Sequence, residues 1–448
     1  MKHWKHWAVL AAVLVLTALA GCGESAPEPT ALRAAVYPEM APYPDETAYV
    51  KADGSVDDDG FMAAYKAWWE DSRSREPYRA AADGAADAFL AASLPAFLGG
   101  EDGENRVYSP LNLYLALGML AETTAGATQA QILEVLDCPD VETLRTRASA
   151  LWNVNYRADG ATALTLASSL WLDEDVAFRQ ETLDTLAEHY YASTYQGQMG
   201  SAALNEALQA WLRDQTGGLL ETADVELDSE TLLALAATIY FQAKWSEEFS
   251  ESRTNSGTFH GAAGDTECKF MHQSNSQTYY WGEDFAAICR GLRSGGEMWF
   301  LLPDQGVSPE ELLTSGAAAE FLLAEGDWPQ SKFLIVNQTV PKFDISARTD
   351  AIAPLKALGV TEVFESGKGD FSPLMEQAEG VFVSQVRHDA RVSIDEEGVT
   401  AAAYTVIAEA TAAAPPEEEV DFVLDRPFLF AITGTDGTVL FAGTVNQI

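Results

Sequence analysis

The sequence predicts an α+β fold in one large domain, because helical patterns dominate its first part, strand-like patterns its later part, and the two do not alternate regularly. Apolar residues recur at helical spacing over Ala85–Leu98, Leu111–Leu120, Gln129–Leu136 and Leu204–Leu212. Short β-branched and aromatic runs at Ala237–Phe241, Glu297–Leu302, Phe333–Val336, Val381–Val386, Phe428–Ile432 and Val439–Ala442 read as strands. From Tyr78 onward no Pro/Gly-rich stretch is long enough for a linker, and no internal repeat is visible. With 448 residues, 47% of them apolar and 10% aromatic, the chain can build a substantial core.

The N-terminus reads as a targeting segment. Lys2 and Lys5 precede a small-apolar run from Ala8 to Ala20 that is too short to cross a bilayer comfortably. It ends in Leu19-Ala20-Gly21-Cys22, which resembles the lipobox of bacterial lipoproteins. That resemblance implies cleavage after Gly21, acylation of Cys22, and an extracytoplasmic protein anchored in a bacterial membrane. Residues 22–77 then form a tether and an N-terminal extension. Prolines at 27, 29, 38, 42 and 44 read as an extended spacer lifting the domain off the membrane. Phe61, Tyr65, Trp68 and Trp69 fall on one helical face, which either docks a partner or packs on the domain that fills residues 78–448. Cys138, Cys268 and Cys289 are too few and too irregular for a metal cluster or a disulfide framework; Cys268 and Cys289 stay open as a pair, and free thiols fit best.

Composition and motif searches narrow the function. With 68 acidic and 27 basic residues the net charge is −41, which repels phosphate backbones and excludes nucleic acid as a partner. Lysines and arginines are scattered rather than gathered into a polyanion site. His3 and His6 lie in the signal, and His189, His260, His272 and His388 stand alone, without metal-ligand spacing. There is no GxSxG elbow and no phosphate-binding loop. Neither an enzyme, nor a metal site, nor a cofactor is expected.

The positive signal is a series of eight ordered blocks. They are Asn105–Leu113 (NRVYSPLNL) with Ala116–Leu120, Trp211-Leu212 with Thr216–Gly218, Ile239–Trp245 (IYFQAKW) with Phe249, Val340–Phe343, Leu358–Val360, Asp370–Ser372, Asp425–Phe430 and Gly437–Gly443. In this order and spacing they resemble the serpins over about 370 residues. The resemblance implies three β-sheets, about eight or nine helices, and an exposed reactive loop ahead of the C-terminal strands. It also implies a monomeric suicide inhibitor of a serine protease.

Within that loop the hinge would be Glu396, Glu397 and Gly398, followed by Val399, Thr400, Ala401, Ala402 and Ala403. The resemblance puts the scissile bond fourteen residues past the glycine, at Ala412–Ala413. Residue alternation supports a strand: Val399, Ala401, Ala403, Thr405 and Ile407 form one small or β-branched face, with the large Tyr404 on the other. A small bait residue suits a shallow primary pocket, as in elastase- or subtilisin-like proteases.

By the same resemblance Ser109, Asn112 and His388 form a clasp where the sheet opens, and Trp245 marks the breach. Two departures bear on it. Asn112 stands where serine is usual, and Ala237 replaces an asparagine, so the Asn112 amide is expected to reach His388 instead. Glu409 would face inward late in insertion and argues against a complete trap. The alternative reading keeps the fold without the trap, as a surface binding or structural lipoprotein.

Overall fold

The computed structural model describes residues 30–51, 53–100, 103–216, 226–229, 231–293, 295–377, 379–399 and 416–448. Local sequence explains where its helices start. In α4 (Pro110–Glu122) the Ser109 hydroxyl accepts from the Asn112 N–H and Pro110 takes the first turn, where a missing N–H costs nothing. Asp140 caps α6 (Val141–Asn155) in the same way, and Ser201 caps α8 (Ala202–Gln215). The other helices are α1 (Asp58–Arg73), α2 (Glu76–Ala82), α3 (Asp87–Leu98), α5 (Gly126–Val135), α7 (Gln180–His189), α9 (Pro309–Thr314), α10 (Ala317–Leu323) and α11 (Ile352–Leu358). Nine of the eleven lie from Asp87 onward, matching the expected number for the domain among the described residues.

Hydrogen bonding gathers the described strands into two sheets rather than three. The first runs β1 (Thr30–Arg33), β5 (Ala192–Gly197), β4 (Thr162–Asp173), β6 (Leu233–Lys244), β14 (Gly398–Val399), β13 (Arg387–Ile394) and β12 (Phe343–Asp350), with β3 (Arg157–Ala158) beside β4. The second runs β15 (Glu419–Val423), β11 (Ser331–Pro341), β8 (Gly264–Trp281), β9 (Phe285–Gly291), β10 (Glu297–Pro303), β16 (Phe428–Thr433), β17 (Val439–Val445) and β2 (Arg106–Tyr108), with β7 (Asn255–Gly261) on β8. The 18 residues of β8 are long enough to serve two groups of strands, joining what the family pattern implies as separate sheets.

The main core fills the space between the sheets and around α4, which buries nearly every residue. A second cluster lies on the outer face of the first sheet, where α8 packs Leu204, Leu208, Trp211 and Leu212 against Ala167 and Trp171.

Two expectations change. Val381–Val386 forms no strand; pairing begins at Arg387, and Val383 donates to the Val363 carbonyl instead. The extension is fastened to the domain from Thr30 onward rather than standing off as a spacer. Its β1 pairs antiparallel with β5, Tyr37 stacks on Trp152 at 5.6 Å, and the Trp68 indole donates to Asp159 at 3.2 Å. Aromatic burial outweighs the stiffness of the prolines. The aromatic face of α1 divides accordingly: Trp68 packs inward beside Tyr43, while Tyr65 and Trp69 stay exposed.

Candidate functional site

The hinge lies at one end of the first sheet, between β6 and β13. Asp395 builds the turn: its carboxylate accepts from the Glu397 and Gly398 N–H groups at 2.9 and 3.2 Å. Gly398 then pairs with Lys244 and Val399 with Ala243, while Val399 also faces Ile394 on β13. A Cβ at Gly398 would collide with the Ala243 carbonyl oxygen, so close backbone approach requires glycine here. Val399 is buried. Two residues of new strand thus already separate β6 from β13, and among the described residues these two share no ladder of their own. Thr400, Ala401, Ala402, Ala403 and the Ala412–Ala413 bond lie outside the described residues, as does Cys22.

Three hydrogen bonds to hinge carbonyls, two from backbone N–H groups and one from an indole, hold the hinge to the segment after β6. The Trp245 N–H donates to the Glu397 carbonyl, the Trp245 indole to Asp395, and the Phe249 N–H to Glu396. The Glu396 carboxylate is largely buried and accepts from Lys342 Nζ at 2.5 Å and Thr254 Oγ1 at 2.8 Å. Burial alone would raise its pKa, but these donors outweigh burial and hold the carboxyl below its ordinary range. Beneath lies Arg290 on β9, its guanidinium 3.9 Å from the Phe249 ring and 5.1 Å from Trp245. It donates to Gln338, Gln273 and the Glu247 carbonyl, tying the breach to the second sheet.

The clasp lies partway along the same strands. Continuing the β14 pairing places Ala237 level with His388 across the gap. The Ser109 N–H donates to His388 Nε2 at 2.9 Å, so that nitrogen carries the lone pair and Nδ1 the proton. Burial lowers the imidazole pKa to about 4. Ser109, Asn112 and His388 are brought together as expected, with one correction: no hydrogen bond joins the Asn112 amide to His388. Asn112 is instead one wall of a cavity of about 40 Å³ that also reaches Ala237 and His388. A larger cavity of about 130 Å³ continues between residues 233–238 and 383–389, under α8.

Sequence reasoning missed Lys342, Thr254 and Arg290. Lys342 stood inside the Val340–Phe343 block without a partner to give it a role. Arg290 was visible as a lone charge in the apolar run from Phe285. Cys138, Cys268 and Cys289 are free thiols, and no set of metal-ligating side chains occurs among the described residues.

The sheet is thus parted at one end by the root of a loop, beside the Glu396–Lys342 ion pair and above the Ser109–His388 contact. The family model described as serpin (serine protease inhibitor) matches residues 85–448. A rice serpin, Serpin-ZXA, is 32% identical over 80% of this chain and 94% of its own, and Serpin-ZX of Arabidopsis thaliana is 29% identical over 76% and 91%. Among solved structures, the native thermophilic serpin tengpin superposes with a TM-score of 0.71 at 25% identity, covering 82% of this chain and 94% of its own. A native, stressed Arabidopsis serpin gives 0.70 at 27%, covering 83% and 98%. The chain belongs to the serpin family. That is a family of serine protease inhibitors, not of enzymes.

Proposed function

We propose that this serpin is a suicide substrate for a serine protease of the elastase or subtilisin kind, cut at Ala412–Ala413. The observation that carries the reading is the position of Gly398 and Val399, already paired as the first rungs of a strand between β6 and β13. Extending that register would place Ala401, Ala403, Thr405 and Ile407 on the buried face with Val399, and Thr405 level with Ala237 and His388. The protease serine would form an acyl-enzyme at Ala412. The freed segment would then zip down the sheet, carrying the tethered protease toward the opposite end before deacylation. The native state would accordingly be kinetically secure. Glu409 would reach the buried face only at the level of Leu233, the last rung of β6, where the strand meets solvent-exposed Glu226 and Asp228. A carboxylate there costs the trap little.

The same reading takes Cys22 as acylated, and the protein as a monomer on the outer side of a bacterial membrane.

Incubation with elastase and with subtilisin, followed by a denaturing gel, tests the trap: a covalent complex that survives SDS is expected. Cleavage without complex, and without a gain in thermal stability, would instead support a non-inhibitory surface lipoprotein. Ala412→Arg should transfer inhibition to trypsin; unchanged specificity would mean that the bond is elsewhere.

A further inference from the structure

We infer that the membrane anchor holds this inhibitor with its hinge end turned away from the bilayer, and that the lipid surface faces the opposite end of the first sheet. The inference rests on the acylation of Cys22 and adds to it an orientation.

The pairing fixes where the chain enters the domain. Thr30 faces Gln196, and Gln196 lies beside Leu172 on β4, whose partner on β6 is Leu233. Because β1 runs antiparallel to β5, the chain before Thr30 leaves the sheet at the Leu172–Leu233 end. Gly398 and Val399 are level with Thr162 at the other end of β4. At about 3.3 Å per residue, the stretch from Thr162 to Leu172 separates the two ends by about 33 Å. Only eight peptide links join Cys22 to Thr30, which at full extension reach about 28 Å. A molecule standing with its hinge against the membrane would need a longer tether than the chain supplies. The reverse orientation needs no extension at all.

Charge acts in the same direction. The anchored end carries exposed Glu174, Asp175 and Glu226, and nearby Arg33 is engaged by Asp184 and Glu188. An acidic face repels anionic headgroups across roughly a Debye length, about 8 Å at physiological salt. The domain would therefore stand on its tether and not lie against the surface.

The test uses the full chain, expressed with its signal in a lipoprotein-processing bacterium and reconstituted in phosphatidylcholine vesicles with a rhodamine headgroup acceptor. Donor dyes go on Asp175→Cys at the anchored end or Ser252→Cys near the hinge, in a Cys268→Ser, Cys289→Ser background that leaves only buried Cys138 and Cys22, whose sulfur the lipid thioether blocks. Transfer from position 175 should exceed that from 252 several-fold, and twenty Gly/Ser residues inserted after Gly23 should erase the difference. Vesicle binding with equal or reversed transfer would overturn the orientation while leaving the anchor intact. Wild type that stays in the aqueous phase, like Cys22→Ala, would overturn the anchor and the orientation with it. A circular dichroism spectrum and melting temperature matching wild type confirm that each labelled variant is folded.

Discussion

The His388 imidazole lies in the clasp with 2% of its surface exposed and its pKa pushed down to about 4 by burial. An unfolded chain takes up this proton near pH 6.5, the folded one only near 4. The contribution of the neutral ring is therefore complete above about pH 6.5 and is lost progressively as the pH falls to 4, by about 3 kcal/mol in total. Urea unfolding should show wild type losing stability across that window relative to His388→Gln. A difference between the two that is independent of pH would refute the assignment. Across the gap, Ala237 offers no polar group to the Nδ1–H of His388. Ala237→Asn restores an amide at that level and fills part of the 40 Å³ cavity. It should raise stability by about 1 kcal/mol, one net hydrogen bond, and slow spontaneous loop insertion. An unchanged or lower melting temperature would show that the clasp closes without an amide.

At the scale of elements, the breach joins β12, β13, β14 and the segment after β6 through one carboxylate. Lys342 is 37% exposed at its side chain, so solvent screens much of its attraction to Glu396. Lys342→Ala should cost only about 1 kcal/mol of global stability, yet it frees the turn from which, under the proposed mechanism, the new strand would grow. Faster conversion to a heat-stable, inactive form, followed by activity after incubation, is the expected sign; unaltered conversion would assign the ion pair no gating role. These elements differ in how far the sequence exposed them. Strands that are short continuous apolar runs, buried on both faces, such as β10 and β16, and helices with a clear cap, such as α4, were legible from local pattern alone. The apolar run Val381–Val386 has strand composition, but its backbone finds a partner at Val363 and not in the sheet, a tertiary choice that periodicity does not carry. Likewise Gly398, Trp245 and His388 were readable as points on the chain. The pairing of Glu396 with Lys342 and Thr254, and the stacking of Arg290 under Phe249, exist only once β9, β12 and β14 meet.

For the whole molecule, the proposed mechanism makes the first sheet a surface on which a strand would be gained, and its two outer borders differ. On one side β12 carries Asp344, Arg348 and Asp350, and such charges deter a foreign strand from joining. On the other, β5 would lie bare without the N-terminal extension, but β1 covers it with main-chain hydrogen bonds. Removing residues 22–33 uncovers the β5 border, and sedimentation should then reveal concentration-dependent oligomers absent from the intact chain; a monomer at all concentrations would show that the cover is dispensable. Together the charged border and the covered border make the sheet selective about its visitors. Under the proposed mechanism, a protein ready to take up a strand would be exposed to taking up the wrong one from a neighbouring copy. Here the N-terminal segment serves as a selvedge, leaving the interior gap as the opening through which the sheet can grow.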